Sequence, residues 1–355
     1  MNTRLLLPWL LLPVLLCCAA PASAARPPSQ SWTFTFRLEN DLFANTDRFY
    51  TNGIKLSWIS PDMDWFRDLK WLQKKTEFRK WVIRIIDILP FSSDADMQRN
   101  IALSAGQKMF TPSDISRSDL ITSDRPYAGW LYGSVAFHNR NDRVLNTLEI
   151  QAGLIGDWSL ARETQDFVHG LRGIDKAQGW DNQLNNEFAF ALIYDRKIRV
   201  IRRTDFSGQW GVDLIAYYGG AAGTVFVNGD AGAELRLGWN LPTDFGTALI
   251  RPAGDTNAPT DTMDPRYDPS GRRFSFHVFA AATGRLVLRD IFLDGNTFSH
   301  SHSVDKELLV GDFVIGASLV YRKVKVSYAQ VLRTREFKAQ KSGHNFGSIS
   351  ISYTY

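Results

Sequence analysis

Apolar and polar side chains alternate one by one through stretch after stretch of this chain, and that alternation narrows the available folds more than any other feature. Trp32, Phe34, Phe36 and Leu38 interleave with Thr33, Thr35, Arg37 and Glu39. Ile54, Leu56 and Trp58 interleave with Gly53, Lys55 and Ser57. A period of two is that of a strand whose two faces meet different surroundings. The pattern returns at Leu148–Leu154, Phe188–Tyr194 and Leu235–Trp239, and ends on Ile349, Ile351, Tyr353 and Tyr355. A soluble sandwich alternates too, but here the polar face is often charged and the other face is aromatic-rich, ending in Tyr or Trp. Such strands fit a transmembrane barrel with a polar interior and aromatic girdles. Candidate spans begin near residues 31, 50, 100, 126, 146, 186, 208, 225, 273, 307, 323 and 345. The expected fold is therefore all-β, a twelve-stranded antiparallel transmembrane β-barrel with a polar interior. An even strand number puts both termini on the periplasmic side. Connections 40–50, 110–125, 157–185, near 222, 294–306 and 336–344 would then face outward.

Residues 1–24 read as an export signal: Arg4, the apolar run Leu5 to Ala20, and Ala22-Ser23-Ala24 before Ala25. The run contains Pro8 and Pro13 and is short for a transmembrane helix. Both cysteines, Cys17 and Cys18, fall inside it, and their preceding residues, Leu16 and Cys17, do not suit a lipoprotein anchor. Residues 25–355 then form one barrel domain without disulfides, thiolate metal sites or a thiol nucleophile. Lys and Arg number 41 and Asp and Glu 37. Losing Arg4 leaves an excess of about three positive charges, dispersed along the chain, which argues against a nucleic-acid partner.

Two segments interrupt the strands. From Asp64 to Leu89, Trp65, Leu69, Leu72, Trp81, Ile85 and Ile88 recur among Lys and Arg at helical spacing. A basic amphipathic helix with Trp suits the membrane interface, or could plug or cap the barrel; the strand count puts this short insertion, 64–89, on the periplasmic side. Residues 241–273, rich in Pro, Asp and Thr, read as a long irregular connection.

The chemistry concentrates in the outward connections. Glu39-Asn40-Asp41 and Thr46–Gly53 gather a carboxylate, amides and hydroxyls where two strands meet their loop, the parts of a hard-cation site. In 157–185, Arg162 to Leu171 can form a helix that puts Gln165 and His169 on one face at i, i+4. Asp175 and Gly179-Trp180-Asp181-Asn182-Gln183 follow. A histidine near a carboxylate and a cation site is the equipment of calcium-assisted ester hydrolysis. Spacing alone leaves His169 as readily a polar loop residue, and Arg117 as readily a solvated arginine as a contact for an anion. His138, His277 and His344 are isolated, and His300 and His302 sit in a Ser-rich loop. No G-x-S-x-G elbow, phosphate-binding Gly loop or H-E-x-x-H occurs.

Taken in order, Asn40-Asp41, Tyr50-Thr51-Asn52-Gly53, Gln107…Pro112, Asp124-Arg125, Gly153-Leu154-Ile155-Gly156, Gln165-x-x-x-His169 and Trp180-x-x-Gln183 resemble the outer-membrane lipid A 3′-O-deacylases. The match runs from the first strand through the sixth and is looser beyond. That family is a twelve-stranded, calcium-binding barrel that hydrolyses the ester carrying the 3′ acyloxyacyl chain of lipid A. The resemblance implies a Gram-negative outer-membrane enzyme, surrounded by membrane lipids, acting on lipopolysaccharide in the outer leaflet. Asn40, Asp41 and Thr51 fall on the family's calcium and active-site positions, with Asp41 and Thr51 as metal ligands. His169 falls on its catalytic base, Gln165 on a supporting glutamine, and Asp175 on a carboxylate partner that is glutamate in the family. Arg117 falls where the family can have an oxyanion-holding lysine. The alternatives are an outer-membrane phospholipase, which would normally need a serine beside the histidine, and a non-enzymatic porin-like barrel.

Overall fold

In the computed structural model the described residues are 30–44, 48–63, 97–206, 208–247, 249–267 and 274–355. The expected signal at 1–24 and helical insertion at 64–89 lie outside them. The strands are β1 (Thr33–Asn40), β2 (Phe49–Ile59), β3 (Gln98–Thr111), β4 (Ala128–Arg140), β5 (Val144–Ile155), β6 (Glu187–Thr204), β7 (Trp210–Gly223), β8 (Phe226–Trp239), β9 (Phe274–Asp290), β10 (Leu309–Tyr321), β11 (Val324–Arg333) and β12 (His344–Thr354). Each pairs antiparallel with its neighbours in sequence, and β1 closes on β12 from Thr33↔Thr354 to Asn40↔Gly347. The result is a closed twelve-stranded barrel, as the alternation predicts. Closure removes every sheet edge, the condition for a strand structure to sit in hydrocarbon. No described helix is long and apolar enough to cross a membrane.

The two faces separate by residue parity. On β1, Thr33, Thr35, Arg37 and Glu39 are buried in the lumen, and their cross-strand partners on β2 include Lys55 and Ser57. On β6, Phe188, Phe190 and Leu192 are exposed on the outer wall while Glu187, Ala189 and Ala191 are buried.

A barrel of this size is too wide for its own luminal side chains to fill, since about eight strands is the limit for that. The segment at 241–267 fills it. This long connection with little regular structure folds back into the lumen as a plug held by buried charge. Asp255 meets Arg37 at 2.7 Å and Lys55 at 2.9 Å. Asp244 meets Arg236 at 2.6 Å, Lys325 at 2.7 Å and Arg266 at 2.9 Å. Backbone donors are matched as well: Ile250 N–H donates to Glu39 Oε1 and Ala253 N–H to Glu149 Oε2. Desolvated charges are tolerated only when paired and hydrogen-bonded in this way.

Above the plug an aromatic layer closes the lumen. Phe110 stacks on Phe292 at 4.2 Å and Trp130 on Tyr132 at 4.4 Å, with Tyr50, Phe226 and Phe346 packed around them. Phe292 comes from a single helical turn, Ile291–Asp294, after β9. Between plug and aromatic layer lies a cavity of about 130 Å³.

Candidate active site on the outer wall

The end of the barrel opposite the termini carries the connections β1–β2, β3–β4, β5–β6, β7–β8, β9–β10 and β11–β12. Parity decides which of its residues face outward. Asn40 pairs with Asn52, and both lie on the face opposite luminal Glu39 and Lys55. Asn40 Oδ1 accepts from Leu42 N–H at 2.8 Å, turning the chain into the short helix Asp41–Ala44. Asp41 is fully buried, and its Oδ2 accepts from Arg48 N–H.

Thr51 is the extra residue of a β-bulge: Tyr50 pairs with Phe110 and Asn52 with Met109, so Thr51 has no counterpart on β3. Tyr50 stays luminal, its hydroxyl donating to Glu39 Oε2 at 2.9 Å. Thr51 instead meets the Thr111 hydroxyl at 2.7 Å, on the same side as Asn52. Bulges commonly re-aim a side chain beside a functional site.

The connection after β5 supplies the histidine. Helix α1 (Ala161–Arg172) is the helix expected at Arg162 to Leu171, and it lies against the outside of the barrel wall. Its seat is β3 and β4. Ala161 packs with outward-facing Met109 and with Tyr127, Ala177 and Trp180. Gln107 Nε2 donates to the Ser159 carbonyl at 2.7 Å. Gly129 leaves the space that Ser159 and Ala161 occupy, because a Cβ there would fall 2.0 Å from Ser159 Oγ and 2.3 Å from Ala161 Cβ.

Within α1, Gln165 and His169 are buried on the face toward the wall. Trp180 Nε1–H donates to Gln165 Oε1 at 2.7 Å. Gly173, with φ 65°, ends the helix in the left-handed conformation that glycine adopts without strain. The following turn brings the Asp175 carbonyl oxygen within 2.7 Å of His169 Nδ1. Asp175 thus meets the ring through its backbone, and its side chain is exposed. The opposite face of the α1 region exposes Trp158, Leu160, Phe167 and Leu171, an apolar surface at the barrel rim.

The β3–β4 connection packs on the same elements: Gln178 N–H donates to the Ile115 carbonyl and Asn182 Nδ2 to that of Ser118. Arg117 belongs to it. Its guanidinium is exposed and hydrogen-bonds Asp119, which holds the Asp119 carboxyl below its usual range. Arg125, of the Asp124-Arg125 motif, is committed inside the barrel. It is buried, stacks on Phe110 at 4.5 Å and pairs with Glu336 at 3.2 Å. In the Ser-rich loop, His302 Nε2 lies 2.7 Å from the Asp124 carbonyl oxygen, tying two connections together.

Asn40 and Thr51 therefore lie on the outer face at the same rim as Gln165 and His169, around β1–β4, with Asp41 in the turn that follows Asn40. Gln107, Met109 and Gly129, which seat α1, carry no sequence signal of that role beyond the motif containing Gln107. Among the described residues no group of three or more His, Cys, Asp and Glu side chains could hold a metal. A cation at this rim would depend on neutral oxygens beside the Asp41 carboxylate.

A family model for outer membrane protein LpxR matches residues 10–355. The chain belongs to the LpxR family of outer membrane proteins. Its place is accordingly the Gram-negative outer membrane, as a β-barrel. Among solved structures it resembles LpxR from Salmonella typhimurium, with a TM-score of 0.69 at 15% identity, covering 90% of this chain and 99% of that one. The β-domain of the Bordetella autotransporter BrkA gives a TM-score of 0.44 at 9% identity, covering 93% and 99%. The transport unit of AIDA-I from Escherichia coli gives 0.32 at 11%, covering 96% and 93%. No curated protein sequence matches significantly. The LpxR fold accounts for the barrel.

Proposed function

We propose that this LpxR-family barrel is a calcium-dependent hydrolase that removes the ester-linked 3′ acyl chain of lipid A in the outer leaflet. The observation that carries the reading is the position of α1. Gln165 and His169 lie against the outside of the wall, under a helix whose other face exposes Phe167 and Leu171. A lipid would meet such a site laterally, from the bilayer, whereas a soluble substrate entering the lumen would not.

His169 suits the role of general base. A carbonyl oxygen can only accept, so the contact with Asp175 puts the ring proton on Nδ1 and the basic lone pair on Nε2. Nε2 takes a proton from water as the water oxygen attacks the ester carbonyl carbon. The tetrahedral intermediate then breaks the bond to the sugar oxygen, which leaves with that proton, and a free fatty acid remains. The backbone carbonyl of Asp175 orients the ring. Gln165, fixed through Oε1 by Trp180, presents its amide N–H groups as donors. Arg117, released from Asp119, is a candidate for the developing oxyanion or a phosphate of the glycolipid.

The donors at the rim fit calcium better than zinc. The Asp41 carboxylate and the Thr51 hydroxyl are both oxygen ligands, with no thiolate. When bound, calcium would supply positive charge that stabilises the oxyanion.

A plugged lumen gives the porin reading no support, and Ser159, beside α1, hydrogen-bonds the Gly156 carbonyl rather than a histidine. Mass spectrometry of lipid A from cells with and without the protein tests the proposal. Loss of one hydroxyacyl or acyloxyacyl unit from the 3′ position is expected. Unchanged lipid A alongside lysophospholipid would favour a phospholipase.

A further inference from the structure

Asn52 is a buried polar residue to which no role has been assigned. It is 7% exposed, and among the described residues its side-chain Oδ1 has no hydrogen-bond partner. It sits at the centre of the rim site. It faces Asn40 directly across the β1–β2 pair, follows bulged Thr51, and on its other side pairs with Met109, on which Ala161 and Trp180 pack. Parity puts the Asn52 side chain on the outer face with Asn40. The bulge matters, because without the extra residue Thr51 and Asn52 would point to opposite faces of β2.

A buried amide oxygen needs a partner in some state of the protein. Calcium takes six to eight oxygens, commonly including Asn carbonyls, and one carboxylate with one hydroxyl falls well short of that. We propose that Asn52 Oδ1 is a further neutral ligand of the cation held by Asp41 and Thr51. This rests on the calcium reading given above. It assigns the bulge a purpose: two successive β2 side chains are directed at one ion, which regular strand geometry forbids.

The test is calcium affinity of the full chain purified in detergent, measured by isothermal titration with calcium alone. The parent is compared with N52L, N52D and D41A, and heat-modifiable gel mobility confirms each closed barrel. N52L should weaken binding about tenfold or more, and the near-isosteric N52D, which adds an anionic oxygen, should bind at least as tightly as the parent. Parental affinity in N52L, with D41A binding lost, would overturn the role of Asn52 and leave the calcium reading standing. No binding by the folded parent would overturn both. Should N52L fail to close, N52D decides alone: weaker binding than the parent would exclude an oxygen ligand at this position.

Discussion

Gly129 gives α1 a close seat on the wall, and replacing it by alanine should push the candidate active site away from the barrel. The new methyl carbon would stand 2.0 Å from Ser159 Oγ and 2.3 Å from Ala161 Cβ, where ordinary contact begins at 3.4 Å. Neither neighbour yields easily. Ser159 donates to the Gly156 carbonyl at 2.6 Å, its own carbonyl is held by Gln107, and Ala161 opens the helix. The start of α1 must therefore shift outward by roughly an ångström or more, carrying His169 with it. A misplacement of about 1 Å at a reacting group can cost ~10²-fold in rate. Gly133 provides the control on the same face of β4, because a Cβ there meets nothing closer than the Ser104 carbonyl at 3.8 Å. G129A and G133A would be expressed to equal levels, their closure checked by heat-modifiable mobility, and their lipid A analysed by mass spectrometry over time. Deacylation should fall about a hundredfold in G129A and stay at the parental rate in G133A. Parental turnover in a closed G129A barrel would refute the inference that chemistry depends on α1 resting against this wall.

Four further outcomes follow from the same geometry. His169→Ala should lower the rate by about 10²–10⁴-fold, whereas Asp175→Asn should cost far less, because the backbone carbonyl that holds the ring remains; equal losses in steady-state assays would refute this. Chelation should abolish hydrolysis and added calcium restore it, and full activity in excess chelator would remove the metal from the reaction. Asp255→Ala strips the carboxylate from buried Arg37 and Lys55 and should lower stability by about 3–5 kcal/mol, read as a fall in the temperature of the gel-mobility transition. At Glu336, burial alone would raise the carboxyl, but Arg333 and then Arg125 outweigh it and hold it below its usual range. Its stabilisation is thus present above the unfolded-state value and lost as pH falls through the folded one. Protease cleavage of the β11–β12 connection should rise on that acid side in the parent, and E336Q should flatten the response.

The strands were legible because each lies between two solvents, and parity records that contrast residue by residue from Thr33 to Thr354. The twelve expected starts fall within a few residues of the observed ones. What lies inside the barrel left no such trace. The 241–267 segment has no period, and its determining contacts span great distances along the chain, Arg37 to Asp255 being 218 residues apart. Arg125 shows the same limit, since nothing local to Asp124-Arg125 reveals Glu336 as its partner. At the rim, residue types were readable and their directions were not. Thr51 and Asn52 are merely adjacent polar residues until pairing with β3 reveals the bulge. Helical spacing brings Gln165 and His169 together, but which side of the wall they face depends on small residues such as Gly129 on another strand.

The plug has a consequence for the cell that carries the barrel. With charge pairs below and stacked rings above, the described residues fill the lumen, so copies should accumulate in the outer membrane without making it leaky to nutrients, ions or antibiotics. Variants that loosen the Asp255 and Asp244 contacts would couple the two properties, and sensitivity to large antibiotics would then rise with expression level.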